Sequence, residues 1–154
     1  MPADAQSVRR ILARISEFDR PVGMLLHAGD YVFSEVYHIL QQEFNGEFRG
    51  VYGNDDPQEL KSTLPMIVIV ELPGIKLTVA HRYSDAMKVS DSDAYVFGHF
   101  HFPQVIHTKA ALEMRPGSPC VPRNNQQETF GILTLDSSNR SLHAEIVKCW
   151  NYVQ

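Results

Sequence analysis

A chain of 154 residues with 44% hydrophobic and 21% charged residues has the makeup of a globular domain, long enough to bury a core without disulfides or a structural metal. Fourteen Lys and Arg against eighteen Asp and Glu leave a net charge of −4, which argues against the basic face that a nucleic-acid duplex needs. Two cysteines, Cys120 and Cys149, exclude a disulfide framework, and the longest apolar stretch, residues 66–70, is far too short to span a membrane.

The N-terminal residues carry no apolar run ahead of their charges, so no secretory leader is expected; the expected location is the cytoplasm, with both thiols reduced. Val8, Ile11, Leu12, Ile15 and Phe18 recur at helical spacing, with Asp4 or Ser7 placed to cap the helix start. After Pro21, residues 22–27 form a continuous apolar run ending in His27, the pattern of a buried parallel strand. A second helix is expected over 34–43, burying Val36, Ile39 and Leu40, then a short strand over 48–52 that runs into a Gly53-Asn54 turn. From Pro65 onward strands dominate: 66–72 and 75–80 as a hairpin around Pro73-Gly74, a short helix over 84–88, and a buried strand over 94–97. Neighbouring strands over 104–109 and 111–115 and a closing hairpin of 129–136 with 141–147 complete the chain. The expected organisation is one α/β domain over 1–154 with a β-rich second half.

Polar residues able to bind metal fall where apolar runs end. Asp30 follows the first run, Asn54 with Asp55 and Asp56 the second, His81 the fourth, and His99 and His101 the fifth. Taken singly each is ordinary: a turn acid, a Gly-Asn turn, a strand-end histidine, and an acid at position 56 placed to cap the next helix. In an extended segment residues i and i+2 point the same way, so His99 and His101 are expected to share a ligand field. Sites in open α/β sheets form outside the carboxyl ends of the strands, which is where this succession sits. Carboxylate, amide oxygen and imidazole together suit a divalent transition metal such as Mn, Fe, Co, Ni or Zn. His38, His107 and His143 fall inside element patterns and are expected to be structural or exposed, His27 to be packed, and Trp150 and Tyr152 to seal a core edge.

In order, Gly29-Asp30, Gly53-Asn54, His81 and Gly98-His99-Phe100-His101 resemble the GD, GN(H/C)D, H and GHxH blocks of the calcineurin-like metallophosphoesterase superfamily. Pro116-Gly117-Ser118-Pro119, followed by Pro122-Arg123, resembles the PGS-x-x-x-PR segment of its small bacterial and archaeal phosphodiesterase branch. The resemblance implies a four-layer α/β/β/α sandwich of two mixed sheets flanked by helices, with metals at one edge. It implies hydrolysis of a small phosphodiester or nucleotide through a metal-activated hydroxide, with Mn the first choice of metal. Asp30 is then the bridging carboxylate, Asn54, His81 and His99 complete one metal site with it, and His101 belongs to the other.

Three features depart from that pattern. The family begins with a strand ending in Asp-x-His, and no Asp-x-His occurs in these 154 residues, so the first strand is expected to be missing and one metal site to hold only Asp30 and His101. Asp55 stands where the family has His or Cys, a position with a catalytic role in proton donation. Arg82 follows the metal-type His81 where Gly is usual; with Arg123 it is the candidate to steady phosphoryl oxygens. These departures leave a second expectation, a catalytically weak scaffold acting as a binding module, as in the retromer subunit built on this fold. The uncovered sheet edge is expected to be covered in one of two ways, by a second copy of the chain in a homo-oligomer or by a rearranged segment.

Overall fold

The computed structural model describes residues 4–123 and 126–150; Tyr152 lies outside the described residues. Helix α1 (Ala5–Ser16) starts where the Asp4 side chain accepts the Ser7 N–H at 2.7 Å, and it buries Val8, Ile11 and Ile15. Phe18 lies beyond the helix and meets Phe130 edge-on at 5.8 Å. Strand β1 (Met24–His27), helix α2 (Ser34–Glu43) and strand β2 (Glu47–Gly50) form a parallel βαβ unit, with His27 level with Gly50. Helix α3 (Gln58–Thr63) is the helix that the acid at position 56 was expected to precede; six residues with Leu60 alone buried give no periodicity from which to read its bounds.

The remaining elements are β3 (Ile67–Leu72), β4 (Ile75–Ala80), α4 (Tyr83–Ala86), β5 (Ala94–Phe97), β6 (Pro103–His107), β7 (Leu112–Pro116), β8 (Thr129–Asp136) and β9 (Ser141–Lys148). A five-stranded mixed sheet runs β3-β4-β5-β7-β6, with β4, β5 and β7 parallel and the outer strands antiparallel. Facing it are two separate ladders, β1–β2 and β8–β9. Between the layers lies the largest core, where Val70, Leu77, Val79, Val96 and Met114 meet Met24, Leu26, Leu133 and Ile146. On the far side of β1–β2, Leu25 and Phe48 turn to Val8, Val36, Ile39 and Leu40 of α1 and α2. On the far side of the large sheet, Ala86 of α4 packs with Ala80, Tyr95 and Phe97. The layering is therefore α/β/β/α. Arg10 covers the Trp150 ring at 4.3 Å, which holds residue 150 against α1. Cys120 and Cys149 are free thiols, pushed up to about 11 and about 12 by burial.

Strand β1 is half-buried along its length, a correction to the fully buried strand expected from its apolar run. The reason is pairing: among the described residues β1 is hydrogen-bonded to β2 alone, so one edge has no strand beside it. An open apolar edge templates association. Light scattering should therefore show self-association as concentration rises, with slow amide exchange along Met24–His27 in the associated form. A stable monomer with fast exchange on that strand would contradict the expectation.

Candidate metal centre

Strands β1, β2, β4 and β5 all end at one side of the molecule, since His27 is level with Gly50 and Ala80 with Phe97. After β1 and β5 the chain turns through left-handed backbone. Asp30 and Val32 have φ of 62° and 70°, and His99 and His101 have φ of 68° and 58°. Left-handed backbone at non-glycine residues is uncommon, and at β-branched Val32 it is an outlier of the kind that clusters at functional sites. It also corrects one expectation. His99 and His101 are not an extended pair facing one way; each sits in its own left-handed turn.

The side chains nevertheless converge. Asn54 Oδ1 lies 2.9 Å from His81 Nε2 and 3.0 Å from His99 Nδ1. The two ring nitrogens face each other at 3.2 Å, and Asp30 Oδ2 is 3.2 Å from His81 Nε2. His81 Nδ1 lies 2.7 Å from the Ala28 carbonyl, so that nitrogen carries a proton and donates it, leaving Nε2 aimed into the cluster. His101 repeats the device: Nδ1 donates to the Val121 carbonyl at 2.8 Å, and Nε2 faces Asp30 Oδ2 at 4.0 Å. A carboxylate oxygen, an amide oxygen and imidazole nitrogens pointing at one another form a donor set that a divalent transition metal satisfies. Asp30, His81 and His99 bring their donor atoms within 4.8 Å of one another, and the chemistry of the set fits the metal that the sequence implies.

The electrostatics agree with this crowding. Burial works to raise the Asp30 carboxyl, but the His81 ring and the Asp55 N–H outweigh it and hold the carboxyl low. Burial works to lower His81, and hydrogen bonds to Asp30 and to the Ala28 carbonyl overcome it, so its pKa is raised. Without a metal, a proton at Nε2 takes the place of the cation. His99 is held below the usual histidine range by burial, then by His81 and Arg82, and more weakly by Arg123. Both guanidiniums are exposed and act electrostatically on His99. His27 stacks on Tyr31 at 3.8 Å and is held down to about 4 by burial, a packed histidine as expected.

Asp55 is exposed, and its Oδ1 accepts the Asn54 side-chain N–H at 2.9 Å, turning Asn54 Oδ1 toward the imidazoles. Asp56 does not cap α3, whose N-cap is Pro57 with no side-chain hydrogen bond; it is buried against the site loops instead. Gly53 is fixed by close approach. A Cβ there would lie 2.1 Å from Asp30 Oδ1 and 2.4 Å from the Asp30 backbone nitrogen. Gly53→Ala must therefore push Asp30 and Asn54 apart, and metal affinity should fall at least tenfold, as for other displaced ligands, on the order of 10–100-fold. Calorimetric titration with Mn checks this, and wild-type affinity in the variant would refute it.

Residues 3–138 match the family model of the calcineurin-like phosphoesterase superfamily domain. A probable metallophosphoesterase of Bacillus subtilis, YsnB, is 25% identical over 140 residues, spanning 88% of this chain and 82% of the relative. The structure of an archaeal phosphodiesterase superposes with a TM-score of 0.70 at 20% identity, covering 92% of each chain. Vps29 of Entamoeba histolytica, solved with Zn²⁺, superposes with a TM-score of 0.70 at 18% identity over 97% of this chain and 92% of that one.

Proposed function

From the premise that the chain belongs to the calcineurin-like phosphoesterase superfamily, we propose that it is a metal-dependent phosphodiesterase acting on a small phosphodiester or nucleotide. The observation that carries this reading is the convergence of four donors: Asn54, His81 and His99 lie at about hydrogen-bond distance of one another, and Asp30 joins them through His81, with the donor atoms of Asp30, His81 and His99 within 4.8 Å. These four would hold one divalent metal, Mn by preference. Asp30, shared with His101, is the ligand a second metal would use. A divalent metal in such a site supplies Lewis acidity to the phosphoryl oxygens and lowers the pKa of water.

The chain's own residues supply the rest. Ala28 and Val121 carbonyls fix the tautomers of His81 and His101, so both rings present Nε2 to the site. Arg82 and Arg123 bring forked positive charge to an anionic ester, which a chain of net charge −4 provides only locally. Phe100, 45% exposed and with its ring 5.2 Å from that of His99, would offer a face to an organic substituent on the ester.

A second reading, a catalytically weak scaffold, is favoured by Asp55. The exposed Asp55 side chain accepts the Asn54 N–H, where the superfamily pattern has a His or Cys able to donate. One experiment separates the readings: metal content after purification from Mn-supplemented culture, followed by hydrolysis of bis(4-nitrophenyl) phosphate with Mn. Bound metal and hydrolysis that a chelator abolishes support the phosphodiesterase. Neither metal nor hydrolysis refutes it and leaves the scaffold.

A further inference from the structure

The geometry points to Asp56 as the positioning residue that locks the two ligand-bearing loops together. Asp56 is 4% exposed, and its carboxylate is answered by three backbone N–H groups rather than by solvent. Oδ2 accepts from Gly53 N–H at 2.7 Å and Asp30 N–H at 3.1 Å, and Oδ1 accepts from Val32 N–H at 3.0 Å. Asp30 and Val32 belong to the loop after β1, Gly53 to the loop after β2. One side chain therefore ties the loop carrying Asp30 to the loop carrying Asn54. The tie is returned by Asp55 N–H, which donates to Asp30 Oδ1 at 2.9 Å.

The clamp answers a specific need. Asp30 and Val32 both hold left-handed backbone, a conformation that persists only where surrounding contacts over-determine it. Charge-assisted hydrogen bonds to the N–H groups of these same two residues supply that constraint. Between them Tyr31, 1% exposed and stacked on His27, pins the segment from the other side. Asp56 does not point into the ligand cluster; it acts through Asp30 and through Gly53-Asn54. An Asn in its place would turn an amide donor toward at least one backbone donor and undo part of the clamp. The sequence hides this, because an acid just ahead of Pro57 has the local look of a helix cap.

The metal-binding arm of the test rests on the proposed metal site; the amide arm does not. In Asp56→Asn, Mn affinity measured well below the melting temperature should fall by roughly 10–100-fold, although no ligand has changed. In metal-free protein, the amides of Asp30, Val32 and Gly53 should lose exchange protection in the variant, while those of the β8–β9 hairpin keep theirs. Wild-type Mn affinity together with unchanged exchange at the three amides overturns the proposal. So does a uniform loss of protection that includes the hairpin, which would mark Asp56 as merely stabilising. Should Asp56→Asn fail to fold, the wild type decides alone: exchange of Val32 and Gly53 amides at free-loop rates overturns the clamp, and protection supports it. If the wild type binds no Mn, the metal reading falls, and the amide comparison still judges Asp56.

Discussion

His81→Ala is expected to abolish the rise in melting temperature that Mn gives the wild-type protein. His81 is 4% exposed, and its ring is the hub of the cluster: Nδ1 on the Ala28 carbonyl, Nε2 facing Asn54, Asp30 and His99. Truncation removes one of four ligands and also the wall against which the His99 ring packs at 5.1 Å. A site of three remaining donors, with Asn54 exposed and Asp30 and His99 only partly buried, should lose affinity by orders of magnitude. With Mn at roughly 100 times the wild-type dissociation constant, binding contributes about 2.7 kcal/mol to folding. For a domain of this size that is roughly 5–10 °C. Each protein is compared with itself in Mn and in chelator, because the lost ring also leaves a cavity that lowers stability without metal. Equal Mn-dependent shifts in wild type and variant would remove His81 from the site, and with it the reading of the centre.

What could be read from the sequence depended on whether the signal was local. Helices α1 and α2 were legible from a clear apolar period, α1 with the Asp4 cap as well, and the β3–β4 hairpin from its apolar strands around a Pro-Gly turn. Asp30, Asn54, His81 and His99 were legible as well, since each closes an apolar run and strand ends gather at one side of a parallel array. The His-x-His pair was identified for the wrong reason. Alternation assumes extended backbone, whereas His99 and His101 reach Asp30 from separate left-handed turns that no side-chain pattern announces. Asp56 was missed because two of its three partners lie 24 and 26 residues upstream and are backbone groups, which carry no residue-type signature. The half-burial of β1 is likewise a matter of which strand lies beside it, not of its own composition.

Asp30→Asn is expected to lower Mn-dependent hydrolysis by roughly 10²–10⁴-fold, because it removes the carboxylate of the Asp30, His81 and His99 cluster without removing an oxygen. The substitution is close to isosteric. Asn Oδ1 still accepts the Asp55 N–H, so the loop that the 2.9 Å bond closes should survive, and the loss reports charge rather than unfolding. Metal-free stability gives an independent reading. In the wild type the Asp30 carboxyl is held below its ordinary 3.8, so its contribution is present above that pH and is lost as pH falls through the folded value. His81 is raised above 6.5, so its contribution is fully present below that pH and is lost as pH rises through the folded value. The pair therefore stabilises the metal-free protein most between about pH 4 and 6.5. Asp30→Asn removes both contributions at once. His27, held down to about 4, adds a slope of opposite sign over part of this range, since the unfolded chain binds its proton first as pH drops below 6.5. That slope is common to both proteins and largely cancels in their difference. Urea midpoints in chelator at pH 5.5 and pH 8.5 should thus show a wild-type advantage at the lower pH that shrinks at the higher one. An advantage independent of pH, or hydrolysis unchanged in the variant, would show that Asp30 is not the charge around which the histidines are arranged.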